Sequence, residues 1–252
     1  MTTPTNVLVT GASKGIGAAI ARALGAAGYL VVAHYGSDEE GALDAVRDIP
    51  AERRHLVRAD LADPDAAERL WEDAVACCGR IDVLVNNAAV MTSTPFDADA
   101  NAWRDGWDLA LQVNLRAPAD LIRAAVPHFV QHGGGTLVSI SSWVAQRGPR
   151  DPALVAYAAS KAGLKAITQA VARHHARDGI LAYVIAPGVV GTAMSQVSAE
   201  RTGGVQALVS ELAMREWAPP SEIGELVVFL ARGRARHLTG ATLDVNGASY
   251  VR

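Results

Sequence analysis

Two residues four apart, Tyr157 and Lys161, offer the plainest chemistry in this sequence. On a helix, positions i and i+4 share a face, so a phenol and an ammonium would project together. A phenol ionises near pH ~10 and exchanges protons poorly at neutral pH unless its anion is stabilised, which a neighbouring ammonium does. The plain alternative is an amphipathic helix that merely contains a Tyr and a Lys. A second stretch bears on the choice. Residues 10–17 read T-G-A-S-K-G-I-G, after the short apolar run Asn6-Val7-Leu8-Val9 and before Ile16, Ile20 and Leu24 at helical spacing. Strand, glycine turn and helix in that order let the backbone approach a phosphate closely, because Gly11, Gly15 and Gly17 carry no Cβ. The N–H groups and dipole of the helix start then favour a pyrophosphate. At a first strand-to-helix junction, a dinucleotide site is a better reading than a plain turn.

Other reactive side chains read more simply. His174 and His175 are adjacent and cannot both face one metal from one helix face. His128 and His132 are spaced i, i+4, but no third ligand is evident nearby, so no metal is expected. Trp103 and Trp107 share that spacing and read as a packing stripe. Cys77 and Cys78 are the only cysteines and are adjacent, which suits small helix-packing residues better than a structural disulfide. They fit a reducing, cytoplasmic setting.

The elements that must position these residues alternate along the chain. Apolar runs at 29–35, 55–60, 81–85, 136–140, 180–185 and 241–245 follow the first strand as further strands. Helical patterns lie between them. Asp38 and Glu39 sit at a capped helix start after Ser37. Asp63-Pro64 opens a helix to about Cys78, with Pro64 in its first turn and Gly79 ending it. A long helical region spans about 101–131, with a break near Gly106 or a bend near Pro127. Residues 155–176 and 221–231 are helical. This alternation predicts an α/β fold: a single-domain Rossmann-type, doubly wound parallel sheet of about seven strands with helices on both faces. Residues just past the strand ends would converge on one edge, where such sheets bind ligands. The chain has 252 residues, 50% hydrophobic and 19% charged, with a net charge of −3. These values fit one globular domain over 1–252 and make nucleic acid an unlikely partner. No apolar run reaches the ~20 residues that span a bilayer, and residues 1–6 show no signal-peptide pattern.

The chain resembles the short-chain dehydrogenase/reductase family. The resemblance rests on the turn at 10–17, Asp60, Asn86-Asn87-Ala88-Ala89, Asn114, Ser142, Tyr157 with Lys161, Pro187-Gly188 with Thr192, and the ending Leu238-Thr239-Gly240 through Asp244-Val245-Asn246-Gly247. It spans essentially the whole chain, in the family's order. The family often has Asn-Asn-Ala-Gly where this chain has Ala89, a difference of one methyl. The resemblance implies that Tyr157 is the general acid in carbonyl reduction and the base in the reverse direction. It implies that Ser142 hydrogen-bonds the same oxygen, with Ser141 pointing to the opposite side. Lys161 would lower the Tyr157 pKa and hold the nicotinamide ribose, and Asn114 would fix a water in a relay to Lys161. The cofactor would lie on Gly11, Ser13, Lys14, Gly15, Ile16, Gly17, Tyr35, Ser37, Asp60, Leu61, Asn87, Ala88, Tyr157, Lys161, Pro187, Gly188, Val190 and Thr192.

Cofactor choice follows from charge. NAD-using members of the family carry an acid at the end of the second strand, which accepts bonds from the adenosine ribose and repels a 2′-phosphate. Register with Val31 and Val32 puts Tyr35 there, and His34, Gly36 and Ser37 carry no negative charge. Lys14 supplies a positive one. NADP(H) is expected over NAD(H). The substrate loop spans about 190–220 and offers Met194, Val197, Val205, Leu208, Met214 and Trp217, facing Val90, Met91, Trp143, Val144 and Val189. A medium-sized carbonyl or alcohol substrate with apolar substituents follows. The layout is similar to that of 3-oxoacyl-carrier-protein reductases, yet residues 129–133 lack the Lys or Arg that would dock an acidic carrier; Arg173 and Arg177 remain. Alternatives are an NAD-dependent dehydrogenase oxidising a hydroxy compound and a non-catalytic dinucleotide-binding regulator. The regulator predicts loss of a site residue, and all are present. Small and apolar residues at 101–131 and 155–176 exceed one core-facing stripe; in the resembled family these helices pair across a twofold axis, which implies a homotetramer, with a dimer as runner-up.

Overall fold

Strands that read as unbroken apolar runs are buried on both faces, because helices cover both sides of a parallel sheet. The computed structural model, which describes residues 5–251, shows this for β1 (Asn6–Val9), β2 (Leu30–Tyr35), β4 (Val83–Asn86), β5 (Gly135–Ile140) and β6 (Ile180–Pro187). The edge strands β3 (Arg54–Arg58) and β7 (Thr242–Val245) are less covered. All seven are parallel, in the order β3-β2-β1-β4-β5-β6-β7. The order reverses between β1 and β4, and the carboxyl ends there open a crevice. Residues 1–4, part of the segment read above as lacking a signal peptide, lie outside the described residues.

The twofold side-chain period splits β1 between two cores. Val7 and Val9 pack with α1 (Gly15–Ala26), α2 (Glu39–Val46) and α10 (Pro220–Ala231). Leu8 joins the other face, under α3 (Ala66–Cys78), α5 (Ala117–Gln131) and α7 (Val155–His175). Asp38 caps α2 by accepting from the Gly41 N–H at 2.9 Å.

Three local expectations need correction. Pro64 lies before α3, not in its first turn: the Asp63 carboxylate accepts from the Asp65 N–H, forming a separate turn first. The long helical region breaks at neither Gly106 nor Pro127. It runs as α4 (Ala100–Leu111), a π turn (Gln112–Arg116) and α5. Pro118 has no N–H to return to the Asn114 carbonyl, and a widened turn accommodates its ring. Gly106 instead permits a close approach, since a Cβ there would sit 2.6 Å from Thr94 Cγ2. Finally, the substrate loop is partly helical, with α8 (Ala193–Arg201) and α9 (Val205–Glu211). A four-residue α6 (Val144–Arg147) after β5 was also unforeseen.

Candidate active site

The glycine turn is fixed from three sides. Gly11 has φ +65°, and a Cβ at Gly17 would lie 2.0 Å from the Gly11 carbonyl oxygen. Such contact demands glycine at 17. The Thr10 hydroxyl accepts from the Asn87 and Ala88 N–H groups at 2.9 and 3.1 Å, and the Asn87 amide donates to the Thr10 and Gly11 carbonyls. His34 completes the frame: its Nδ1 accepts from the Gly11 N–H at 3.0 Å, which leaves Nε2–H to donate to the Ala59 carbonyl at 3.0 Å. Burial pushes the His34 pKa down, so the ring stays neutral. The helix that follows starts with no side-chain cap and no acid in its first turn. Its first N–H groups therefore face the cleft as open donors, a donor set that fits a pyrophosphate.

Tyr157, Ser142 and Lys161 meet at the other end of one cleft of about 1200 Å³. The Ser142 side chain lies near enough to the Tyr157 phenol to act on its pKa, lowering it. Lys161 is buried and donates from Nζ to the Ile140 carbonyl at 2.8 Å, with Nζ 5.9 Å from the Tyr157 ring centre. Ser141 points away, donating to the Lys161 carbonyl at 2.9 Å. Burial pushes the phenol up to about 12, against the smaller lowering by Ser142. Burial also pushes the Lys161 ammonium down to about 8. Burial sets the phenol's direction, opposite to the lowering a close ammonium would give. At neutral pH Tyr157 holds its proton.

Asn114 sits in the π turn, fully buried. Its Oδ1 accepts from the Val90 N–H at 2.8 Å, and its Nδ2 donates to the Val90 carbonyl at 2.9 Å and to Ser160 Oγ at 3.0 Å. Both polar ends of the amide are engaged, so the side chain ties the loop after β4 to α7, with no direct bond to Lys161.

Gly11, Ser13, Lys14, Gly15, Ile16, Gly17, Asp60, Leu61, Asn87, Ala88, Pro187, Gly188, Val190 and Thr192 all line the cleft. Tyr35 and Ser37 do not; His34 and Gly36 line it at the end of β2 instead. Side chains alternate along β2, so His34 and Tyr35 lie on opposite faces of the sheet, and Tyr35 is nearly fully buried. Two neighbours of this end escaped sequence reading. His34 was legible as a lone polar residue inside an apolar run. Arg58, whose Nε donates to the Gly36 carbonyl at 3.2 Å, gave no signal, since only the β2–β3 pairing brings it there.

On the substrate half, Val90, Met91, Trp143, Val144, Val189, Met194, Val197 and Leu208 line the cleft, and Val205, Met214 and Trp217 do not. Met214 is 62% exposed and lies against Gly247. The histidines and tryptophans set aside above have packing partners. His128 Nε2 accepts from the Ile81 N–H at 3.1 Å, and Phe96, Trp103 and Trp107 form a ladder with ring centres 5.8 Å apart.

A family model described as enoyl-(acyl carrier protein) reductase matches residues 11–248. The chain is 31% identical to a 3-oxoacyl-(acyl-carrier-protein) reductase FabG of Staphylococcus aureus, covering 98% of each chain. It is 35% identical to a 3beta-hydroxysteroid dehydrogenase 1 of Eggerthella lenta, covering 96% of this chain and 92% of the relative. An acetoacetyl-CoA reductase of Acinetobacter is 32% identical, covering 97% of each. Among solved structures, a dehydrogenase/reductase from Sinorhizobium meliloti superposes with a TM-score of 0.88 at 32% identity, covering 98% of this chain and 95% of the other.

Proposed function

The chain belongs to the short-chain dehydrogenase/reductase family and is an oxidoreductase of it, and we propose that it is an NADP(H)-dependent carbonyl reductase with Tyr157 as general acid. The observation that carries this reading is the buried, protonated Tyr157 phenol beside Ser142 in the same cleft as the open glycine-turn donors. When bound, a reduced nicotinamide supplies a hydride, so that a ketone and a proton become a secondary alcohol. Ser142 Oγ hydrogen-bonds the carbonyl oxygen and orients it toward the phenol. Tyr157 gives that oxygen its proton, and takes it back in the oxidising direction. Lys161, whose Nζ donates to the Ile140 carbonyl, would hold the ribose hydroxyls of the bound cofactor and steady the phenolate. Asn114 is a positioning residue: it fixes Val90 on one wall and Ser160 one turn from Tyr157.

Charge supports NADP(H). At the end of β2 the cleft is lined by His34 and Gly36, the nearby Asp38 carboxylate caps α2 by accepting from the Gly41 N–H, and Lys14 lines the cleft on the turn. A 2′-phosphate at this end would meet Lys14, with Arg58 held next to Gly36, while the one acid lining the cleft nearby is Asp60 past β3. The Staphylococcus and Acinetobacter relatives favour a 3-oxoacyl substrate, and the apolar lining accepts one. No described helix is long and apolar enough to cross a membrane. With both thiols free, a cytoplasmic enzyme fits. The test follows NADPH and NADH absorbance against ketones, sugars, steroids and 3-oxoacyl thioesters. NADPH-dependent reduction of a ketone is the expected result; equal or better use of NADH overturns the cofactor assignment.

A further inference from the structure

The substrate half of the cleft has an apolar wall but a charged rim, lined by Arg147, Arg150, Asp151, Arg201 and Glu211. Two of these charges pair, and the Asp151 carboxylate keeps its charge while bonded to its own loop, so the five leave one net positive charge at the rim. Arg150 is ion-paired with Glu211, and the Asp151 carboxylate accepts from the Ala153 N–H at 2.9 Å. Arg147 and Arg201 have no carboxylate partner among the described residues. Arg147 is also held in place. Its guanidinium lies 4.0 Å from the centre of the Trp143 ring, as the i, i+4 spacing across α6 allows. Trp143 in turn is anchored next to Ser142, its N–H donating to the Pro187 carbonyl at 2.9 Å. Stacking on an indole leaves the edge of a guanidinium, with its forked N–H donors, open to an oxyanion.

We propose that the substrate is a ketone carrying an anionic group, a carboxylate or a phosphate, beyond an apolar spacer, and that Arg147 recognises that group while Arg201 adds charge at the same rim. The inference rests on the reductase reading and narrows its substrate class. The spacer meets Val144, Val189, Met194 and Leu208, and the charge reaches the rim. The competing role for Arg147 is a cover for the Trp143 face, and it predicts no charge preference.

The experiment uses the full chain with NADPH and three matched substrate pairs. These are 3-oxobutanoate with its methyl ester, 5-oxohexanoate with its methyl ester, and acetoacetyl-CoA with the acetoacetyl N-acetylcysteamine thioester. The unmodified enzyme is expected to favour the charged member of at least one pair by about tenfold or more in kcat/KM, through KM, with the preference shrinking as salt rises. An ester pair showing it identifies a carboxylate, and the thioester pair a phosphate. Arg147→Met should bring that ratio to within about twofold of unity, and Arg147→Lys should retain part of it. Equal use of both members of every pair by the unmodified enzyme overturns the inference and leaves the reductase reading standing. So does a preference that ignores salt, or one that survives in Arg147→Met. Should Arg147→Met fail to fold, the unmodified enzyme's ratio and its salt dependence decide alone. NADPH oxidation with no member of any pair overturns this inference, and the reductase reading falls with it only if the wider panel of ketones, sugars and steroids also gives no turnover.

Discussion

At the scale of single residues, cofactor preference turns on what faces the cleft where β2 ends. Gly36 is exposed there, and a Cβ added to it would meet only the Ala59 carbonyl oxygen, at 3.9 Å. Gly36→Asp is therefore accommodated, and its carboxylate would face the adenosine ribose. We expect it to lower kcat/KM for NADPH by about tenfold or more and to shift preference toward NADH, as like charge repels the 2′-phosphate. Lys14→Ala should weaken NADPH more than NADH in steady-state kinetics with both cofactors. An unchanged NADPH to NADH ratio in both variants would contradict the placement. His34 makes a different prediction. Its folded pKa is lowered, so below the ordinary 6.5 the unfolded chain takes up a proton more readily than the folded one. Stability is thus present above that value and is lost as pH falls through it toward the folded value. His128 is also lowered by burial and contributes in the same sense. Urea unfolding between about pH 5 and 7 should show this acid limb, and His34→Gln should remove part of it. A limb of the same depth in the variant would show that the ring is not what titrates.

At the scale of elements, the π turn is the piece that fixes one wall of the site. Asn114→Ala would leave the Val90 N–H and carbonyl unpaired in a buried place and free Ser160 Oγ of one bond. We expect a loss of about 2–4 kcal/mol in unfolding free energy, with a fall in kcat larger than any rise in KM. Thermal unfolding beside steady-state kinetics checks this, and an undisturbed kcat would remove Asn114 from the positioning role. The same element shows where sequence reading stops. Strands and most helices were legible because a twofold or 3.6-fold apolar pattern is a local property, and caps such as Asp38 and Gly79 mark ends. The π turn was not, because Gly106 and Pro127 looked like better breaks than Pro118. What decides between them is packing: Gly106 sits against Thr94, and α5 continues through Pro127 with Phe129 fully seated in the core. The convergence of Tyr157, Ser142 and the glycine turn was legible from strand ends, whereas Arg58 and Arg147 needed the β2–β3 pairing and α6. Nor does spacing report desolvation, which sets the direction of the Tyr157 pKa here.

At the scale of the whole molecule, surface left over by the fold points to assembly. Phe96 is 76% exposed beside the Trp103–Trp107 ladder of α4, and Phe229 of α10 is 47% exposed. A closed assembly covers such side chains in pairs across twofold axes. We expect a homotetramer, with a dimer as runner-up, and a monomer by light scattering at micromolar concentration would contradict this. The proposed reaction is carbonyl reduction in which Tyr157 delivers the proton. The most direct measurement compares the unmodified enzyme with Tyr157→Phe, following NADPH oxidation by a ketone the unmodified enzyme reduces, with NADPH affinity measured in parallel. The account predicts a fall in kcat of about 10²- to 10⁴-fold with NADPH affinity held within a few-fold, because the phenol moves a proton and the ring only packs. A Tyr157→Phe enzyme that keeps most of its turnover would contradict it.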